Sequence, residues 1–159
     1  MKYAVVIPAR YQSSRFPGKP LVDILGKSMI QRVWERCCEA VGADKVYVAT
    51  DSDLIQSAAQ TFGAQVIMTS ADCLTGTDRL AEANQQLDCD FVINVQGDEP
   101  LIEPKDILSV IDKYQQHPET VINAMCPLSG EEEFRSFTVP KVVASKSGNL
   151  LYMSRSPVP

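Results

Sequence analysis

Short apolar, β-branched runs alternating with amphipathic helical stretches govern what this chain can fold into. Ala4 to Ile7, Lys45 to Thr50, Gln65 to Met68 and Phe91 to Val95 read as strands, the first ending at Pro8. Between them, Ile30, Val33, Trp34, Cys37 and Val41 repeat at the spacing of one buried helical stripe, with Ser28 placed to cap it. Leu54, Ile55, Ala58, Ala59 and Phe62 form a second stripe, stopped by Gly63, and Leu80 to Leu87 reads as a third helix. Pro104 suits the first turn of a fourth, through Ile107, Val110, Ile111 and Tyr114. Strands joined through helices predict a mostly parallel, helix-covered sheet that binds ligands beyond the carboxyl ends of its strands. Val121 to Met125, Lys141 to Ala144 and Leu150 to Met153 read as further strands, the last two joined by a turn at Ser147-Gly148-Asn149.

The 159 residues suit one domain, so 1–159 is read as a single α/β unit. Its end at Arg155-Ser156-Pro157-Val158-Pro159, directly after a strand, suggests that further chain would cover that edge. A net charge of −5 argues against a general electrostatic grip on nucleic acid or an anionic membrane, so any phosphate site must be local. No apolar run approaches a signal core or a membrane span, and the expected location is the cytoplasm. Five cysteines without a CxxC pair suggest reduced structural thiols rather than a disulfide framework or zinc knuckle. His117, the single histidine, precedes Pro118 in a loop, which leaves a Ser-His-Asp triad poorly supported. Glu131-Glu132-Glu133 reads as a solvated helix start.

Three loops carry groups that could do chemistry. The first, Pro8 to Pro20, gathers Arg10, Arg15 and Lys19 with serine hydroxyls and free amides after the first strand. It has neither the GxxxxGK[ST] of a Walker loop nor the GxGxxG of a dinucleotide site, yet its cations suit several phosphate oxygens. Solvated loop charges are the plainer alternative. The second, Asn94-Val95-Gln96-Gly97-Asp98-Glu99-Pro100, ends the most apolar strand with a carboxylate that could hold a metal-triphosphate complex, while Gly97 would admit a ligand close to the backbone. Read simply, it is a strand-ending turn. The third, Thr75-Gly76-Thr77-Asp78-Arg79, enters a helix: its amides and hydroxyls could bind an anion or read a base edge, with Arg79 reaching a phosphate, or Thr77 could merely cap the helix. Lys141 and Arg155, each taken alone, read as surface cations.

In order and approximate spacing, PARYQSSRFPGKPL, TGTDR, NVQGDEP, PKVV and LLYMSR resemble the motifs of 3-deoxy-manno-octulosonate cytidylyltransferases, the CMP-Kdo synthetases. The resemblance spans this chain but only the N-terminal part of that family. It implies a Rossmann-like three-layer α/β fold, a nucleotide-binding role for 1–159, and a homodimer at full length. It also implies transfer of a cytidylyl group from CTP to the sugar acid Kdo, with Mg2+ as cofactor and pyrophosphate as second product, for lipopolysaccharide or capsule synthesis. Carried over by residue, it implies that Ala9 and Arg10 meet the nucleotide and that Arg10, Arg15 and Lys19 neutralise the triphosphate. Thr77 and Arg79 would lie beside the cytidine, Gln96 would touch the sugar acid or the nucleotide, Asp98 would bind Mg2+ and Arg155 would attract the sugar carboxylate. Arg10, Lys19 and Asp98 are thereby the implied catalytic residues. Cys73-Leu74-Thr75 departs from the family pattern, in which a more polar stretch precedes the glycine. Other readings are a cytidylyltransferase for amino-Kdo or a sialic-acid-like compound, a sugar-1-phosphate nucleotidyltransferase, and an inactive nucleotide-binding module.

Overall fold

A computed structural model describes residues 1–12 and 16–158, so Arg15 lies outside the described residues. By contacts the chain divides into two compact units, Met1–Ile122 and Asn123–Pro159.

In the first unit, β1 (Tyr3–Ala9) lies at the centre of a parallel sheet. A small hairpin of β2 (Asp23–Ile24) and β3 (Lys27–Ser28) leads into α1 (Met29–Val41), and β4 (Val46–Thr50) pairs beside β1. Then come α2 (Asp53–Thr61), β5 (Gln65–Met68) beside β4, α3 (Gly76–Asn84), β6 (Phe91–Asn94) on the free side of β1, and α4 (Pro104–Gln116). The spatial order is β5-β4-β1-β6, so the chain reverses direction of growth at β1. Such a switch point leaves a crevice between the carboxyl ends of the two diverging strands, here β1 and β6.

Alternation along β1 builds the layers. Val5, Ile7 and Ala9 pack with Ile30, Val33 and Cys37 of α1, Ile55 of α2 and Ile107 of α4. Ala4 and Val6 face the other way, against Ala83 of α3, Ala49 and Ile67. One sheet between two helical layers follows, because a strand buried on both faces needs apolar side chains at both parities. Each fully buried Ile or Val contributes about 1.5–3 kcal/mol. Ser28 caps α1 by accepting from the Gln31 amide at 3.3 Å, and Pro104 occupies the first turn of α4.

The boundaries depart from the sequence reading in physical ways. β1 runs through Pro8, which pairs with Ala49, so the strand ends two residues later than Ile7; proline costs one ladder bond and is tolerated near a strand end. Leu54 is 58% exposed and lies outside the α2 stripe that buries Ile55 and Ala59. α3 begins at Gly76, well before Leu80.

The second unit holds α5 (Glu131–Arg135) and an antiparallel hairpin of β7 (Lys141–Ala144) and β8 (Leu150–Ser154). Residues 121–125 form no strand, and Val121 is 97% exposed. Lys141 is buried rather than a surface cation: its Nζ donates to the carbonyls of Ser136, Val139 and Arg155 at 2.5, 2.9 and 2.6 Å.

The five cysteines are free, with burial pushing the Cys37 thiol up to about 12 and that of Cys38 to about 11. Among the described residues no helix is long and apolar enough to cross a membrane.

Candidate functional site

β1 delivers buried Ala9 and then exposed Arg10 to the carboxyl edge of the sheet. The loop that follows turns back on itself: the Gly18 amide donates to the Tyr11 carbonyl at 2.8 Å. Gly18 has φ +73°, a left-handed conformation costly for residues with a Cβ. That turn starts a single 3-10 turn at Lys19–Leu21, anchored by buried Pro20, which fixes the base of Lys19. Pro17, Gly18 and Pro20 read in the sequence as forbidding helix here, yet Pro20 sits inside this short 3-10 turn, where its missing amide costs nothing.

β6 delivers Gln96, Gly97 and Asp98 to the same edge. A Cβ on Gly97 would stand 2.9 Å from the Pro8 carbonyl oxygen and 3.4 Å from Ile30 Cδ1. The close approach expected at Gly97 is thus made by the chain's own β1. This contact sets Asp98 opposite Lys19, whose Nζ donates to Asp98 Oδ2 at 2.6 Å. Both side chains stay partly exposed, at 39% and 50%, so the pair holds weakly and is free to exchange partners.

A cavity of about 550 Å³ opens between these loops, lined by Ala9, Arg10, Lys19, Gln96 and Asp98. Its remaining wall includes Cys73, Thr75 and Gly76, where the chain enters α3. Thr75, not Thr77, caps this helix: its Oγ1 accepts from the Asp78 amide at 3.1 Å, and Asp78 Oδ2 accepts from the Thr75 amide at 2.8 Å. The reciprocal bonds leave the amino end of α3 and its unpaired amides at the cavity wall. Thr77, one turn position further on, is absent from the lining residues.

Arg79 is among the lining residues, but the residue is buried, 2% exposed, and its guanidinium is turned inward. Nη2 lies 3.2 Å from Asp51 Oδ2 and Nη1 donates to Thr69 Oγ1. Its expected reach to a phosphate gives way to this internal pairing. Asp51, a participant the sequence reading passed over, has its Oδ1 buried with no hydrogen-bond partner among the described residues. Cys73 Sγ donates to Glu82 Oε2 at 3.1 Å, which pushes the thiol above its usual range and, with the Ser70 amide, holds the Glu82 carboxyl below its own. Arg155 belongs to the second unit, where its Nη1 donates to the Thr138 carbonyl at 2.7 Å.

Arg10, Lys19, Gln96 and Asp98, drawn from two distant loops, thus meet at one cavity at the switch point of the sheet. Residues 4–159 match the family model described as cytidylyltransferase. The chain is 49% identical over 160 residues to the 3-deoxy-manno-octulosonate cytidylyltransferase of Syntrophotalea carbinolica, covering 100% of this chain and 64% of that protein. It is 46% identical over 164 residues to the 8-amino-3,8-dideoxy-manno-octulosonate cytidylyltransferase of Shewanella frigidimarina, covering 100% of this chain and 67% of the relative. Among solved structures it is similar to a CMP:2-keto-3-deoxy-manno-octonic acid synthetase complexed with CTP. The TM-score is 0.88 and the identity 42%, covering 100% of this chain and 66% of that one. The chain spans about two thirds of the length of these proteins. The family match runs over residues 4–159 of a chain that folds into a parallel sheet with a cation-lined cavity at its switch point, and the chain belongs to the cytidylyltransferase family.

Proposed function

We propose that the whole protein couples CTP to the sugar acid Kdo, giving CMP-Kdo and pyrophosphate. The observation that carries this reading is the Lys19–Asp98 pair, 2.6 Å apart, facing a cavity that Arg10 and the amino end of α3 also line. A triphosphate needs several cationic and amide donors, and this edge of the sheet supplies both kinds.

In the reaction, the anomeric hydroxyl of the sugar acid attacks the α-phosphorus in line. The new oxygen–phosphorus bond forms as the bond to the bridging oxygen breaks, pyrophosphate leaves, and the hydroxyl proton passes to solvent. Arg10 and Lys19 neutralise charge spreading over the phosphate oxygens. Lys19 leaves Asp98 to do so, an exchange that costs little because an exposed pair of this kind is worth about 0–1 kcal/mol. Gln96 offers an amide to the sugar acid or the nucleotide, and Ala9 a backbone surface for the nucleotide. Arg155 is proposed to attract the sugar carboxylate, and Arg15 to join the triphosphate contacts.

The donor set fits Mg2+ in one specific sense. Among the described residues, no group of three or more His, Cys, Asp or Glu forms a protein cage. Mg2+ commonly takes one or two carboxylates and completes its shell with water and substrate phosphate, so Asp98 alone suffices beside a bound triphosphate. When bound, the ion would supply charge neutralisation and a template for the phosphate oxygens.

The relative from Shewanella frigidimarina, named for the 8-amino sugar, supports a second reading in which amino-Kdo is the acceptor. Pyrophosphate release with CTP, UTP, GTP or dTTP, each against Kdo and 8-amino-Kdo, tests both. CTP with Kdo is expected to give the highest kcat/KM; CTP with the amino sugar as the better pair would favour the second reading, and preference for another nucleotide would contradict both.

A further inference from the structure

α3 carries two side chains back onto the segment that precedes it. Arg79 holds Thr69 Oγ1, and its Nη1 also lies 3.5 Å from the Ser70 carbonyl. Three residues on, Glu82 accepts from the Ser70 amide at 2.7 Å and from Cys73 Sγ at 3.1 Å. Residues 69–75 are thereby fastened along the first turns of α3, and this fastened segment ends in the cavity wall. The outer anchor is Asp51, directly after β4, through its 3.2 Å contact with Arg79. The Thr69 amide adds a bond to the Thr50 carbonyl at 2.9 Å, joining the ends of β4 and β5 at the same place.

A buried charge pair is weak evidence for stability, because desolvation offsets much of the attraction. This one is worse than usual on that score, since one Asp51 oxygen is buried without a partner among the described residues. What the pair does provide is a fixed direction: a planar guanidinium with both terminal nitrogens held ties α3 to the ends of β4 and β5. Tolerance at that helix end is small. A Cβ on Gly76 would already meet Pro8 Cγ at 3.4 Å and Gln96 Oε1 at 3.6 Å, so a slight tilt of α3 would either jam against β1 or draw the wall away from the cavity.

We infer that Asp51 is a positioning residue for nucleotide binding, acting through Arg79 to set Thr75 and Gly76 at the correct distance from the nucleotide. The inference rests on the reading of the cavity as a CTP site. It makes Arg79 part of the support behind the site rather than a phosphate ligand.

The test is calorimetric titration of CTP with Mg2+ into the whole protein and its variants, at a temperature where circular dichroism shows each fully folded. Asp51→Asn, which keeps shape and removes charge, is expected to weaken CTP binding roughly tenfold, by analogy with the cost of small misplacements at a bound ligand. Asp51→Glu should recover part of that loss. Asp88→Asn, which breaks the exposed pair with Lys2, should leave it unchanged. If Asp51→Asn does not fold, Thr69→Val removes a different contact of the same guanidinium and should weaken CTP binding in the same direction. Wild-type affinity in a folded Asp51→Asn or Thr69→Val protein would overturn the inference while leaving the CTP site standing. Failure of the wild-type protein to bind CTP would overturn the reading of the cavity, and this inference with it.

Discussion

Asp98→Ala is expected to lower the rate of CMP-sugar formation by the whole protein about a hundredfold or more, the scale seen when a group that organises transition-state charge is removed. Stability should hardly move. The Asp98 side chain is half exposed, and its bond to the partly exposed Lys19 contributes at most about 1 kcal/mol. The contrast between the two effects is the informative part: a strand-ending turn with an idle carboxylate would lose neither rate nor stability on substitution. Initial rates at saturating Mg2+, alongside a thermal melt, check it. A near-normal rate would remove Asp98 from the proposed chemistry.

The second large effect concerns Gly97. An alanine methyl there meets the Pro8 carbonyl at 2.9 Å, inside any normal carbon–oxygen contact, with Ile30 Cδ1 at 3.4 Å and Ile7 Cγ2 at 3.6 Å behind it. The backbone oxygen belongs to Pro8, whose strand is held there by its pairing with Ala49 of β4, so the strain falls on the loop from β6, which must move. Overpacking of this kind costs about 1–3 kcal/mol. For a chain of this size each kcal/mol lowers the melting temperature by about 2–4 °C. Because Asp98 follows directly, Gly97→Ala should also weaken CTP binding in the protein that remains folded. An unchanged melting temperature would mean that β1 and the loop after β6 are not in the contact described.

Much of this arrangement was legible from local pattern. β-branched runs located β1, β4, β5 and β6, and the stripes of α1 and α4 matched the buried Ile30, Val33, Ile107 and Ile111, because burial on one face leaves its period in the sequence. The rule that α/β sheets bind at strand carboxyl ends placed the loops of Lys19 and Asp98 at the same edge, but the direct bond between the two side chains had no local signal. The α3 cap was misread although its signal was present: Thr75 with Asp78 three positions on is a capping-box spacing, whereas Thr77 has no such partner. The fate of Arg79 was not legible at all. Its partners Asp51 and Thr69 come from other strand ends, and only the folded sheet brings them together. Residues 121–125 have apolar content but are not paired as a strand among the described residues, and local propensity alone does not make a strand.

The most direct test of the central claim is a crystal structure of the protein grown with CTP and Mg2+. The account predicts the triphosphate in the cavity, with Lys19 Nζ withdrawn from Asp98 and bonded to a phosphate oxygen, and Asp98 turned to the metal. A triphosphate bound elsewhere, with the Lys19–Asp98 bond intact, would contradict it.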